Sequence, residues 1–123
     1  MLNQPKLTAE KVAQFQEQEF LPLKGAFGSG DKESIRGCAT EIAESPEKVG
    51  KHWVYHETSL QDGTKKLINR IENMTPFHQG LAELAVCLFL SVGQLFGEEA
   101  VLFKDKINFE MSGGESFELH QDS

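Results

Sequence analysis

Val101-Leu102-Phe103-Lys104-Asp105-Lys106-Ile107-Asn108-Phe109-Glu110, then the turn Ser112-Gly113-Gly114-Glu115, then Phe117-Glu118-Leu119-His120-Gln121-Asp122: the reading of this 123-residue chain turns on these segments. The first is rich in β formers. In it Phe103, Asp105, Ile107 and Phe109 alternate with Lys104, Lys106, Asn108 and Glu110, the period of a strand with one face turned inward. The Gly-Gly pair is a turn signal, and Phe117 to Asp122 opens a new strand. Its His120 and Asp122 stand two apart, so a strand points both to one face. An imidazole and a carboxylate side by side suit a first-row metal ion. With one more His they would make the facial triad of a non-haem iron oxygenase, which leaves coordination positions open. A lone His-x-Asp is nevertheless a motif that arises often by chance.

Working back toward the N-terminus, the chain is helical in its longer elements. The spacing predicts a first helix from about Ala9 to Glu19, capped by Thr8, with Leu7 and Val12 at the positions of a hydrophobic staple. Residues 1–6 read as a loose leader. A second helix is predicted from Lys32 to Glu44, with Asp31 as N-cap and Ile35, Cys38, Ala39 and Ile42 on one face. Residues 52–57 and 67–71 read as short strands around the turn Gln61-Asp62-Gly63-Thr64. A third helix is predicted to open at Thr75-Pro76 and to stop at Gly97. Its stretch Ala85 to Val92 is apolar almost all round, which predicts burial from two sides. The fold class that follows is α+β, a helical layer over about 7–97 leading into a sheet over about 100–123.

Composition narrows the functions. Twelve Lys and Arg against nineteen Asp and Glu give a net charge of −7, and an acidic surface repels phosphate backbones, so no nucleic-acid partner is expected. No apolar run of 18 residues is apparent and the first twenty residues lack a signal-peptide core, so no membrane partner is expected and the expected location is cytoplasmic. Cys38 and Cys87 sit in apolar helical patterns and read as reduced core thiols. His52 and His56, four apart around Trp53-Val54-Tyr55, would share a face as metal ligands, but the intervening strand formers and the missing Glu after His52 favour ordinary packing. His78 reads as a surface or packing residue.

The segment 101–122 resembles the phytanoyl-CoA dioxygenase family, whose members show a strand of this Leu-Phe-Lys-Asp-Lys-Ile-Asn type, a turn, and then His-Gln-Asp. The resemblance extends upstream to Leu7-Thr8 with Val12, Phe15 and Phe20-Leu21, to Arg70-Ile71-Glu72-Asn73, and to Val92–Gly97. It implies a double-stranded β-helix (a jelly roll of the cupin kind) and an Fe(II)- and 2-oxoglutarate-dependent dioxygenase that oxidises an unactivated C–H bond of a small-molecule substrate with O2. By motif, His120 and Asp122 are then iron ligands. Arg70 falls where the family has a basic residue near the cosubstrate carboxylate, and Asp105 and Asn108 fall on the strand lining the cosubstrate pocket. The alternative for Arg70 is a surface cation, and for Asp105 and Asn108 an ordinary polar strand face. Lys104 and Lys106 are expected to pair with surface acids. Trp53, Tyr55 and Glu57 are within range of a substrate pocket, with packing the competing role for the two aromatics.

The resemblance also implies a distal iron-binding His and a 2-oxoglutarate-binding Arg well beyond His-Gln-Asp, and a jelly roll does not close with two or three strands. The chain therefore reads as the N-terminal part of a longer, single-domain oxygenase, truncated and inactive alone. The competing reading is a stand-alone helical module that binds a protein partner without catalysis.

Overall fold

The computed structural model describes Pro5 and residues 7–115. The predicted strand Phe117–Asp122, and with it His120 and Asp122, lies outside the described residues.

Helix α1 spans Ala9–Gln18, and Thr8 caps it as expected, its hydroxyl oxygen accepting from the Lys11 N–H at 3.2 Å. Helix α2, Ser29–Glu44, starts three residues earlier than predicted, with Gly28 as its N-cap. Asp31 is thus the third helical residue, and its carboxylate reaches back to the Gly28 N–H at 3.3 Å. That is the return half of a capping box, which a glycine cap can use although it offers no side chain. Helix α3, Gln79–Phe96, starts later than predicted. Thr75-Pro76 opens a separate 3-10 turn, Thr75–Phe77, and His78 caps the helix. The His78 Nδ1 accepts from the Leu81 N–H at 3.2 Å, so in the neutral ring the proton sits on Nε2, which meets Glu41 Oε2 at 2.8 Å and ties α3 to α2. Gly97 closes α3 in the left-handed region, φ 72°.

Three antiparallel strands form one sheet in the order β1 (Trp53–Thr58), β2 (Lys66–Glu72), β3 (Lys106–Asn108). The predicted strand over 101–110 shrinks to these three residues, the stretch that lies beside Arg70–Glu72. Val101, Leu102 and Phe103 have no strand alongside them among the described residues and are exposed.

The core sits between the sheet and the helices. Val54, Ile71 and Ile107 face one another across the three strands, and Ile71 (0% exposed) packs with Ile42 (2%) and Met74. Ala43, Ile68, Leu81 and Phe109 close around them. Helix α1 docks on α3 through Phe15 and Phe96, ring centroids 6.1 Å apart. The expected loose leader is anchored at Pro5, which is buried and accepts the buried Ser91 hydroxyl at 3.0 Å. Cys87 is buried in α3 and Cys38 half-buried in α2. Burial of α3 from two sides does not hold for the described residues: Cys87 and Ser91 face inward, whereas Val86 and Leu90 remain about 60% exposed because no described element covers that ridge. Contrary to the sequence expectation, the 18 residues of α3 are long and apolar enough to cross a membrane by length and composition, a property that core helices share.

Candidate functional site

Strand alternation divides the sheet into two faces. The face away from the core carries Tyr55, Arg70 and Asn108 in one cross-strand row, and Trp53, Glu72 and Lys106 in the next. Two of the sequence-derived candidates, Arg70 and Asn108, are therefore direct partners, brought together by the β2–β3 pairing although 38 positions separate them.

Arg70 is half-buried, and its guanidinium carbon lies 4.4 Å from the centroid of the Tyr55 ring. A planar cation on an aromatic face is held in orientation by the ring quadrupole and by stacking. The Arg70 Nε is buried and has no hydrogen-bond partner; the Glu72 carboxylate forms an ion pair with it at 3.7 Å, beyond hydrogen-bond length. A guanidinium that is fixed but not saturated is suited to receive an oxyanion.

Asp105, just before β3, has a different engagement. Its two carboxylate oxygens accept from the backbone N–H groups of Met74 at 2.7 Å and Thr75 at 3.1 Å. Burial pushes this carboxyl up, but hydrogen bonds from Thr75, Met74 and Asn73 outweigh it and hold the group below its ordinary range. Asp105 thus pins the turn at the end of β2 to the start of β3. It also lines a cleft of about 340 Å³ with Trp53, Glu72, Leu102 and Phe103 at the edge of the open face.

Sequence reasoning missed Asn69. The β1–β2 register slips between Tyr55, opposite Arg70, and His56, opposite Ile68, so Asn69 is the extra residue of a bulge. The bulge lets Ile68 and Ile71, three apart, share the core. It also turns the Asn69 amide toward Glu57, donating to Oε2 at 3.0 Å, while its carbonyl accepts from the Phe109 N–H at 2.8 Å. The signal was present in Leu67-Ile68-Asn69-Arg70-Ile71, where apolar residues depart from strict alternation.

The other oxygen of Glu57 is buried without a hydrogen-bond partner and lies against Gly114, where a Cβ would collide with it. The Met111–Gly114 turn rests there because the Leu60 N–H donates to the Gly113 carbonyl at 2.7 Å and Gly113 takes φ +87°. The chain has by then passed from β3 at one edge of the sheet to the end of β1 at the other. Of the remaining candidates, His56 meets Glu47 at 3.0 Å and His52 is buried ahead of β1. Among the described residues no group of three or more His, Cys, Asp or Glu is placed to hold a metal ion. His120 and Asp122 lie outside those residues.

No family model matches the chain, and no solved structure does. Two curated proteins match it nearly end to end. Over 119 residues it is 37% identical to a 2-aminoethylphosphonate dioxygenase from uncultured bacterium HF130_AEPn_1, covering 94% of this chain and 45% of that one. Over 119 residues it is 27% identical to a methylphosphonate hydroxylase from Gimesia maris, covering 95% of this chain and 45% of that protein. The chain spans just under half the length of the curated relatives it matches. Both relatives are named as oxygenases, one a dioxygenase and one a hydroxylase.

Proposed function

We propose that this chain supplies one wall of an Fe(II)- and 2-oxoglutarate-dependent dioxygenase that oxidises a small organophosphonate. The observation that carries the reading is the Tyr55–Arg70–Asn108 row on a sheet whose opposite face packs Ile71 against Ile42 and Met74. The names of the two relatives supply the oxygenase class and the phosphonate substrate. In this reading the sheet is the first layer of a double-stranded β-helix, and its polar face becomes the interior of the barrel once the rest of the oxygenase closes over it.

Each residue then has a role. His120 and Asp122, a neutral imidazole and a carboxylate, would hold the iron, which supplies activation of O2. Arg70, oriented by Tyr55, binds an oxyanion of the cosubstrate or substrate through charge-assisted hydrogen bonds. Asn108 stands next to it as an amide donor. Asp105 acts through structure, fixing the β2 turn that borders the cleft.

The test is a chimera in which residues 1–123 replace the matching segment of the 2-aminoethylphosphonate dioxygenase. We expect Fe(II)-dependent consumption of 2-oxoglutarate coupled to oxidation of 2-aminoethylphosphonate or methylphosphonate. We also expect its loss in His120→Ala and in Asp122→Ala, and no turnover by the isolated chain. A folded chimera that consumes no 2-oxoglutarate with either phosphonate refutes the reading. The competing reading, a non-catalytic interaction module, draws on the exposed Val86–Leu90 ridge, and turnover by the chimera excludes it.

A further inference from the structure

On the open face of the sheet, the row beside Tyr55–Arg70–Asn108 is Trp53–Glu72–Lys106, and the proposed function gives it no role. Trp53 and Glu72 line the cleft of about 340 Å³ together with Leu102 and Phe103. Trp53 is 55% exposed there, although tryptophan is on average a strongly buried residue. The Glu72 side chain is only 19% exposed, yet its carboxylate makes no hydrogen bond among the described residues and is not closed off from solvent. In this it differs from Asp105 on the same cleft, whose two oxygens are both taken by backbone N–H groups.

Arg70 and Glu72 stand two apart on β2 and so share this face. Their ion pair, 3.7 Å long, is too loose to be a hydrogen bond. The terminal N–H groups of Arg70 also lack a hydrogen bond among the described residues and, unlike its Nε, are not sealed from solvent. A fork of donors beside a bare acceptor is complementary to a zwitterion laid across the pair. An anion with no positive group would satisfy Arg70 but would set its charge beside the Glu72 carboxylate. The nearby lysines do not neutralise Glu72. Lys104 and Lys106 are exposed and neither forms an ion pair with it, and the Lys104 ammonium lies instead 6.0 Å from the Phe103 ring centroid.

We propose that Glu72 and Trp53 recognise the ammonium group of an aminoalkylphosphonate whose phosphonate meets Arg70, and so select a zwitterion over a simple alkylphosphonate. Glu72 accepts charge-assisted hydrogen bonds from the ammonium. Trp53, its cross-strand neighbour, offers a cation the strongest of the aromatic faces. In 2-aminoethylphosphonate two carbons separate the charged ends, a span short enough to bridge side chains that already meet at 3.7 Å. The inference rests on the reading of the open face as a phosphonate site and adds which phosphonates it takes.

Trp53 is the one tryptophan in the sequence, so its fluorescence reports on this cleft. The experiment titrates the chain with 2-aminoethylphosphonate in one arm and with ethylphosphonate, the same skeleton without the amine, in the other, at neutral pH and constant ionic strength. The expected result is a saturable change in Trp53 emission, with the aminophosphonate bound about tenfold more tightly than ethylphosphonate. Glu72→Gln, which keeps the shape of the side chain, is expected to lose that preference. Equal affinity for the two compounds, or no saturable change with the aminophosphonate, overturns the proposal on the unaltered chain, whether or not the variant folds. A preference that survives in folded Glu72→Gln overturns it as well. The chimera reports separately on the oxygenase reading. Selective binding by the chain without turnover by the chimera refutes catalysis and keeps the site, and turnover by the chimera without selectivity in the chain does the reverse.

Discussion

On one face of the sheet Val54, Ile71 and Ile107 stand in a row against Ile42 and Met74. One position along each strand, on the other face, Tyr55, Arg70 and Asn108 stand in a row that no described helix covers. The same three strands thus carry a row that holds the fold and a row that the helices leave open. An antiparallel sheet permits this division because its side chains alternate, and only one face must be buried for stability. The difference separates two kinds of substitution. Changes on the helical face act on folding, and changes on the open face act on whatever that face binds.

The largest effect is expected at the centre of the covered row. Ile71→Ala leaves a cavity at a fully buried site, and such a truncation costs about 2–5 kcal/mol. Urea denaturation followed by circular dichroism measures it as a drop in the midpoint. A loss below about 1 kcal/mol would remove the distinction between the faces.

Asp105 comes next, because it joins the faces at the strand ends. Asp105→Ala leaves the Met74 and Thr75 N–H groups without their acceptors, at a cost of about 1–3 kcal/mol. The pH dependence has a definite sign. The folded carboxyl titrates below its ordinary value of 3.8, so its contribution is full above that value and is lost as pH falls through the lower, folded value. The stability gap between wild type and Asp105→Ala is therefore expected to be constant at neutral pH and to narrow below about pH 4. A gap independent of pH down to pH 2 would show that the ionised carboxylate is not what holds the turn.

How far these features could be read from the sequence depends on how far apart the interacting residues lie. Thr8 as a cap and Gly97 as a stop are local, and both were legible from a few neighbouring residues. The start of α3 was not, because an imidazole cap lies outside the Ser, Thr, Asp and Asn set on which N-cap reading rests. The length of β3 depends on what runs beside it, which no pattern within residues 101–110 encodes. Arg70, Asn108 and Asp105 were all suggested by resemblance, yet the residues they meet were invisible. Pairing across β2 and β3 puts Arg70 beside Asn108, whereas Asp105 turns to a backbone segment about thirty positions earlier in the chain.

A smaller effect is expected where the chain crosses from β3 to the end of β1. Gly113→Ala forces a side chain into φ +87°, where its Cβ would also meet the Ser59 hydroxyl at 2.8 Å. The expected cost is about 1–2 kcal/mol, confined to the turn. Hydrogen exchange checks it through faster exchange of the Leu60 N–H, which donates to Gly113, with the β1–β2 amides around Val54 unchanged. Accelerated exchange across the whole sheet would mean that the turn supports the covered face too.

The smallest effect on folding is expected in the open row, where the comparison between the faces is sharpest. Tyr55→Leu keeps a β-compatible apolar side chain but removes the ring that orients Arg70. A partly exposed cation–π contact is worth about 0.5–1 kcal/mol, so the unfolding midpoint should move little. Binding should move more. A guanidinium no longer held against a ring must lose side-chain freedom when it meets an oxyanion, and its paired N–H groups are no longer pre-aligned. In the active chimera, the variant is therefore expected to need a several-fold higher concentration of 2-oxoglutarate or phosphonate at nearly unchanged stability. Tyr55→Phe keeps the ring and should restore wild-type binding. If Tyr55→Leu instead destabilises the chain as much as Ile71→Ala, the open row belongs to the fold. If it changes neither stability nor binding, Arg70 does not depend on Tyr55 for its orientation.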